Sequence, residues 1–298
     1  MTGLWNLIRR DCKLFFKDKG MFFSSLITPI LLLVLYATFL ANIYRDSFAS
    51  AIPAAFTVSQ KLIDATVGGE LFSSLLAVSC VTVSFCCNMI MVQDRVTGAR
   101  RDLTVAPVKK STLALAYYLS TVISTLLVCI AATGASFLYL ARAGWYLSAA
   151  DVLLILLDVF LLVMFGTALS SIVNVFLKTQ GQISAVGTVV SAGYGFVCGA
   201  YMPISQFGKG LQRVLSFLPG TYGTSLIRNH ALRGVYREMA ATGFPDEVIE
   251  GIKDSVDCNI YFFGDKVEIG AMYAVLAGSV AVLLAVYIVI NIIRRRRG

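Results

Sequence analysis

Charged residues are nearly excluded from six long stretches of this sequence. The stretches comprise 151 residues and carry one charge, Asp158, whereas the remaining 147 residues carry 41. Each stretch has 23 to 29 residues, and a helix of that length, at about 1.5 Å per residue, exceeds the bilayer hydrocarbon thickness of about 30 Å. The sequence therefore predicts an all-α polytopic membrane protein of one domain, with six transmembrane helices at 20–44, 71–93, 113–141, 152–177, 179–202 and 270–293.

The composition excludes a soluble globular protein. Hydrophobic residues make up 57% of the chain and charged residues only 14%, compared with about 25% charged residues in soluble domains. A secretory signal peptide has an apolar region of only about 7–15 residues. The first stretch, 20–44, is uncharged throughout, which predicts a retained span.

Lysine and arginine in the short loops predict the orientation, because they concentrate on the cytoplasmic side. With the N-terminus inside, the cytoplasmic segments (1–19, 94–112, Lys178 and 294–297) hold 15 of them, and the short outer segments hold three, Arg45, Lys61 and Arg142. Both termini are therefore predicted to be cytoplasmic and 203–269 external. The net charge of +8 fits this topology and a partner bilayer with anionic headgroups, and no nucleic-acid partner is expected.

The segments outside the six stretches also show patterns. Leu4, Ile8, Cys12 and Phe15 form one apolar stripe beside a basic face, which predicts that residues 1–19 form a helix lying in the membrane interface. The apolar residues 208–228 are interrupted by Pro219-Gly220, and pieces this short favour a re-entrant or interfacial segment.

The composition becomes polar from 233 to 268, which predicts a small external cap. Within it, Phe244-Pro245-Asp246-Glu247 predicts a helix start, with proline in the first turn and acids at the positive end of the helix dipole. Cys258 is the one cysteine in the predicted outer segment 203–269, so it is either a free thiol or an intermolecular link.

Catalytic motifs are almost absent. The chain has one histidine, His230, which we expect to be a surface or interfacial side chain, and no G-x-x-x-x-G-K-[ST] phosphate-binding loop. We therefore expect no enzyme activity and no metal site in this chain, and any ATP hydrolysis has to come from a partner. A membrane-embedded enzyme would need convergent acids or a Ser/His dyad, which one aspartate and one histidine do not supply.

Two features inside the predicted spans leave alternatives open. Asp158 is a functional candidate because burying a charge in the membrane is costly. It is either a structural, hydrogen-bonded acid or the relay of a proton-coupled carrier or channel. Span five is rich in glycine, and its Gly195 and Gly199 form a GxxxG pattern, which indicates either tight helix packing or a helix that lines a cavity and moves against a partner.

Two groups of residues resemble the ABC-2 type exporter permeases. One group follows span two and the other follows span five: Gln93-Asp94-Arg95-Val96-Thr97-Gly98, Leu103 and Ala106-Pro107-Val108, with Leu115 and Tyr117; then Met202-Pro203-Ile204, Leu218-Pro219-Gly220-Thr221-Tyr222 and Leu226-Ile227-Arg228. The order and spacing of these motifs, together with six spans and a basic N-terminal helix, carry the resemblance. The sequence departs from the family pattern at two points. An aspartate stands at the head of the loop, where a glutamate is frequent, and the polar segment 233–268 is long.

The resemblance implies a permease subunit in the plasma membrane of a prokaryote. It implies a second permease subunit, identical or different, and separate ATPase subunits that bind ATP and Mg, with no cofactor on this chain itself. It assigns ATPase coupling to the loop after span two, through Asp94, Arg95, Gly98, Arg100, Arg101 and Asp102.

The resemblance also places a substrate path along spans two and five. The residues it suggests for that path are Phe85, Asn88, Met89, Val92, Gly187, Tyr194 and Val197. Both spans are mainly apolar, with serine and tyrosine interspersed. That character favours an amphipathic or lipid-like substrate over a small inorganic ion.

Overall fold

The structure, a computed structural model, describes residues 2–42, 45, 48, 59–105 and 108–296. These residues are mainly helical. The first half contains α1 (Thr2–Lys17), α2 (Lys19–Leu35) continued by a π-helical turn (Tyr36–Leu40), α3 (Gln60–Asn88), α4 (Ile90–Val96), α5 (Ala99–Val105) and α6 (Lys110–Ala143). The second half contains α7 (Ala149–Phe176), α8 (Gln180–Val197), a 3-10 turn (Ile204–Gln206), α9 (Lys209–Leu215), α10 (Pro219–Ala241), α11 (Asp246–Ser255), a hairpin of β1 (Tyr261–Phe262) and β2 (Asp265–Lys266), and α12 (Ile269–Arg296).

Five helical segments within the described ranges are long and apolar enough to cross a membrane. They are Lys19–Leu40, Gln60–Val96, Lys110–Ala143, Ala149–Phe176 and Ile269–Ile293. Five of the six charge-poor stretches thus form helices of spanning length, and the protein is a multi-pass membrane protein. The second stretch is longer than predicted, because its helix begins at Gln60 rather than at 71.

The stretch predicted as span five, 179–202, forms the shorter helix α8. Its 18 residues extend about 27 Å at the rise of an α-helix, just below the thickness of the hydrocarbon layer. Glycine, serine and glutamine lower its hydropathy, and the helix ends before Gly199, whose φ of +74° is the left-handed conformation common after helix ends. A sixth complete span therefore stays a prediction.

The GxxxG pair belongs to this helix end rather than to a packing surface between two helices. A Cβ atom on Gly195 would lie 2.4 Å from the ring of Tyr201, four residues beyond the end of the same helix. Gly199 supplies the backbone turn itself. The helix-packing interpretation of this pair is therefore corrected, because both glycines let residues 199–201 fold back against α8.

Helix α3 lies at the centre of the bundle, where every residue from Ala65 to Asn88 is buried. Its small side chains permit close approach by neighbouring helices: a Cβ on Gly166 of α7 would lie 3.0 Å from the carbonyl oxygen of Cys80. Most buried hydroxyls of α3 donate within the helix, as where Ser79 donates to the carbonyl of Leu75 at 2.6 Å.

The segment 208–228, predicted to be re-entrant or interfacial, forms α9 and the first part of α10, and the chain breaks between them just before Pro219-Gly220, as predicted. Pro219 occupies the first turn of α10, where its missing N–H costs nothing, and the helix continues through the predicted boundary at 233. Most of α10 is buried against α3 and α7, and a Cβ on Gly223 would lie 2.6 Å from Leu162 of α7. The predicted helix start at 244–247 is confirmed, since α11 begins at Asp246 and buries Ile249 and Ile252.

The bundle has two distinct ends. At one, which we call the Gln60 end, Ile249 and Ile252 of α11 pack in one apolar cluster with Leu62 and Ala65 of α3. At the other, the Val96 end, α1 packs against α4 and the start of α6 through a cluster that includes Phe15. The apolar stripe predicted for residues 1–19 is the buried face of α1.

Candidate functional site

At the Val96 end, hydrogen bonds to Asp94 connect α4 to two other helices. Both guanidinium nitrogens of Arg10 on α1 donate to its carboxylate, at 2.7 and 2.8 Å, and the hydroxyl of Tyr117 on α6 donates at 2.7 Å. Asp94 is only 5% exposed, so this paired geometry is the strong form of a charge-assisted hydrogen bond. Asp11 lies beside Arg10, and burial raises its pKa to about 6 although Arg10 acts in the opposite direction.

Arg95 connects α4 to the end of α7 through hydrogen bonds. Its guanidinium donates to the carbonyl oxygens of Asn174 and Val175, at 3.4 and 3.1 Å, and to that of Leu177. A cation at this position interacts favourably with the negative end of the α7 dipole. Asp94 and Arg95 therefore tie α4 to the membrane helices and are not surface groups.

The other predicted coupling residues lie on a short exposed element. Gly98, with φ of +85°, makes the turn between α4 and α5. On α5, Arg101 and Asp102 are exposed and Arg100 is partly exposed. Val105 at the end of this helix is 84% exposed, and the following Ala106-Pro107 lies outside the described residues. The element thus combines charge with an uncovered apolar side chain.

A cavity of about 1080 Å³ lies between α2 and α8. Met89 and Gln93 also line it, and its wall mixes aliphatic and aromatic side chains with hydroxyls such as Ser24, Thr28, Ser184, Thr188 and Ser191. The Thr28 hydroxyl donates to the carbonyl of Ser191 at 3.4 Å, which joins the two helices.

The structure places two of the seven predicted path residues, Met89 and Gly187, in the lining of this cavity. Phe85 and Val92 are buried in apolar clusters, and Asn88 is buried where its amide donates to the hydroxyls of Ser170 and Ser171, both at 2.9 Å. Tyr194 and Val197 lie on α8 outside the lining. The sequence interpretation missed α2, whose Ser24 and Thr28 were the available signal.

Asp158 and His230 form a buried pair. The two side chains are 0% and 4% exposed, and His230 Nδ1 lies 2.5 Å from Asp158 Oδ2. The hydroxyl of Tyr273 on α12 donates to the other carboxylate oxygen at 2.5 Å. The expectation of a surface or interfacial His230 was wrong, because α10 packs into the bundle, and Asp158 joins three helices.

A second buried ionic cluster, which the sequence interpretation missed, surrounds Arg228 on α10. Its Nε lies 3.4 Å from Glu70 of α3 and its Nη1 lies 3.8 Å from Asp257. The guanidinium also donates to Ser74 and to the carbonyls of Gly199 and Val256, at 3.0, 3.1 and 2.7 Å. Arg228 is 0% exposed.

Asp257 extends this cluster to the segment after α8. Its carboxylate accepts hydrogen bonds from the backbone N–H groups of Ile204 and Ser205. The neighbouring Cys258 is a free thiol that is 1% exposed, and burial raises its pKa to about 12. This burial removes the intermolecular disulfide considered above. Among the described residues, no group of three His, Cys, Asp or Glu side chains is placed to hold a metal ion.

Comparisons with known proteins give a match to a family but none to an individual protein. Neither the comparison with curated proteins nor that with solved structures gives a match. A family model matches residues 2–231, a range that contains the exposed α5, the cavity and Arg228 and ends before the cap. The family is described as ABC-2 type transporter.

Proposed function

Because the chain belongs to the ABC-2 type transporter family, we propose that it is the permease subunit of an exporter that moves an amphipathic or lipid-like substrate out of the cytoplasm. Membership implies association with an ABC ATPase subunit. In our proposal that separate subunit binds ATP and Mg, and this chain binds no cofactor of its own and hydrolyses nothing.

The unit of α1, α4 and α5 at the Val96 end is the observation on which the proposal rests. Arg10–Asp94 and Arg95 with the end of α7 hold α4 rigidly on the bundle, while α5 projects beyond Gly98. Such an element can transmit closure of an attached ATPase as a rigid-body shift of α3 and α7. We therefore propose that α5 couples this chain to the ATPase and that Asp94 and Arg95 anchor α5, through α4, to the bundle.

The charge distribution supports the proposed orientation. The Val96 end carries the basic segments 1–19 and 94–112, which on the positive-inside rule lie in the cytoplasm. We place both termini there and the α11 cap outside, in a prokaryotic plasma membrane.

The cavity supports the proposed substrate class. Its volume of about 1080 Å³ lies just above the usual range of ligand pockets, about 300–1,000 Å³, and its wall is mainly apolar with scattered hydroxyl and amide groups and the carboxylate of Asp18. A long acyl chain with a polar head matches such a wall better than a hydrated ion. We propose that a second permease subunit, identical or different, faces the open side of the cavity between α2 and α8.

We expect Gly187→Leu to lower transport of a fluorescent phospholipid analogue about tenfold. A Cβ at Gly187 would lie 2.8 Å from the Met89 Cε, and both residues line the cavity between α2 and α8, so the larger side chain takes up space in that cavity. Gly193→Leu on the same helix is the matched control, since a Cβ there meets nothing within 4 Å. Equal transport by the two variants in proteoliposomes would contradict the proposed path.

The buried Asp158–His230 pair favours one alternative, a proton-coupled carrier. We do not propose a membrane-embedded enzyme, because within the described ranges the hydroxyl bonded to the pair is that of Tyr273 and no serine or cysteine nucleophile is bonded to it.

For the ATP-driven exporter, we expect Asp158→Asn to keep appreciable ATP-dependent transport of the same analogue. The asparagine preserves shape and hydrogen bonding but cannot cycle a proton, and here the energy comes from the partner ATPase. The assay compares proteoliposomes that contain the ATPase and ATP with proteoliposomes that have only a pH gradient. Transport driven by the gradient without ATP, and lost in Asp158→Asn, would establish the carrier instead.

A further inference from the structure

Three phenylalanines at the Gln60 end form an exposed aromatic cluster, which we define as Phe217, Phe262 and Phe263. The Phe217 ring lies 5.2 Å from that of Phe262 and 5.9 Å from that of Phe263, and the two hairpin rings are 4.9 Å apart. Phe217 and Phe263 are nevertheless 61% and 62% exposed. Phe262 is 37% exposed, so the three rings contact one another while two of them keep most of their surface uncovered.

The helix before Phe217, α9, also exposes apolar side chains and has basic side chains beside them. On α9, Leu211 and Val214 are 46% and 60% exposed, and Lys209 and Arg213 are exposed beside them. The Arg213 guanidinium lies over the Phe263 ring, 5.9 Å from its centroid. Basic side chains that flank exposed apolar ones are typical of segments that lie in the membrane interface, where the long stems reach toward lipid phosphates.

The tip of the hairpin presents one of these rings to the outside. Phe263 has a φ of +53° and the following Gly264 a φ of +106°, the left-handed conformations that a two-residue hairpin turn requires. A bulky residue is unusual in such a turn, where Asn, Asp or Gly is preferred. The Phe263 ring is 62% exposed, so the turn places an aromatic side chain outside the core.

The cluster lies at the depth where the lipid-facing surface begins. The bond between Tyr273 and Asp158 aligns the start of α12 with the middle of the Leu153–Phe160 stretch of α7. In that stretch Leu153 and Phe160 are 67% and 44% exposed, and Ile269 at the beginning of α12 is 45% exposed. The hairpin joins directly to α12 at this level.

We infer that α9 and the hairpin form an anchor in the lipid headgroup layer at the Gln60 end, which is the outer leaflet in the proposed orientation. The aromatic cluster enters the boundary between headgroups and acyl chains, and Lys209 and Arg213 bind lipid phosphates. The hairpin lies beyond the residues that the family model matches, whereas α9 and Phe217 lie within them, and the anchor does not depend on what the chain transports.

Tryptophan reporters test the anchor. Phe217→Trp and Phe263→Trp are made separately in the full-length chain with Trp5 and Trp145 replaced by phenylalanine, and Glu247→Trp on the exposed face of α11 is the control. The proteins are reconstituted in vesicles of phosphatidylcholine and phosphatidylglycerol whose phosphatidylcholine is brominated near the carbonyl or near the methyl end of its chains.

We expect about twofold quenching of both cluster reporters by the shallow bromines, weaker quenching by the deep ones and none for the control. Unquenched fluorescence at both positions would overturn the anchor, and a blue-shifted spectrum would then show that protein, such as a second copy, covers the cluster. Stronger quenching by the deep bromines would also overturn it, since the segment would then be inserted and not interfacial.

Discussion

Replacement of Arg228 by methionine is expected to lower the free energy of unfolding by about 3–5 kcal/mol, the cost of removing one partner from a buried ionic cluster. Glu70 and Asp257 are 2% and 4% exposed, so neither carboxylate can be hydrated when the guanidinium is gone. The carbonyl of Gly199 loses its donor in the same variant. The fold around the end of α8 is therefore expected to loosen first.

Thermal unfolding of the purified chain in detergent measures this loss. Arg233→Met is the matched control, because Arg233 lies on the same helix, 3.6 Å from Asp151, with its side chain 53% exposed. Adding Glu70→Gln to Arg228→Met is expected to recover part of the loss, since the amide buries no charge. Equal midpoints for the Arg228 and Arg233 variants would show that the cluster contributes no more than the half-exposed Arg233–Asp151 pair.

Charge reversal on α5 is expected to have the largest effect on transport. Arg101→Glu is expected to reduce ATP-dependent transport of the phospholipid analogue at least tenfold, or about 1.4 kcal/mol of coupling, because it places like charges against a complementary docking surface. Arg101 is exposed, and the unfolding midpoint of the variant is measured alongside transport, so that the loss is assigned to coupling only where the variant remains folded.

Arg142→Glu is the control for this variant. Arg142 is also exposed but lies at the end of α6, at the Gln60 end of the bundle. The Arg142→Glu variant is expected to leave transport unchanged apart from a small effect on membrane insertion. Equal losses in the two variants would indicate a general effect of charge and would remove α5 from the coupling role.

The sequence could predict most of the helices because charge exclusion depends only on local composition. It predicted their ends less well. Helix α3 continues to Gln60 through Lys61, Asp64 and Glu70, because packing at the Gln60 end stabilises a helix beyond the apolar stretch. Helix α8 is shorter than its uncharged stretch because Gly199 ends it.

The sequence could predict the segment that forms the candidate coupling site, but not the contacts that hold it in place. The motif at 93–98 marked α4, yet the pairing of Asp94 with Arg10 joins residues 84 positions apart, and no local pattern encodes such a distance. For the same reason Arg228 was only part of a motif, and His230 was expected at the surface. Both became buried because α10 packs into the bundle, which depends on the whole fold.

Photo-cross-linking from Val105 in native membranes tests the central claim, that this chain is the permease of an ATPase-driven transporter coupled through α5. A photoreactive amino acid replaces Val105, which is 84% exposed on α5, and in a second protein it replaces Glu247 on the cap. We expect the purified Val105 adduct to contain an ABC ATPase subunit and the Glu247 adduct to contain none. An ATPase captured from Glu247, or none captured from Val105 in membranes that retain ATP-driven transport, would contradict it.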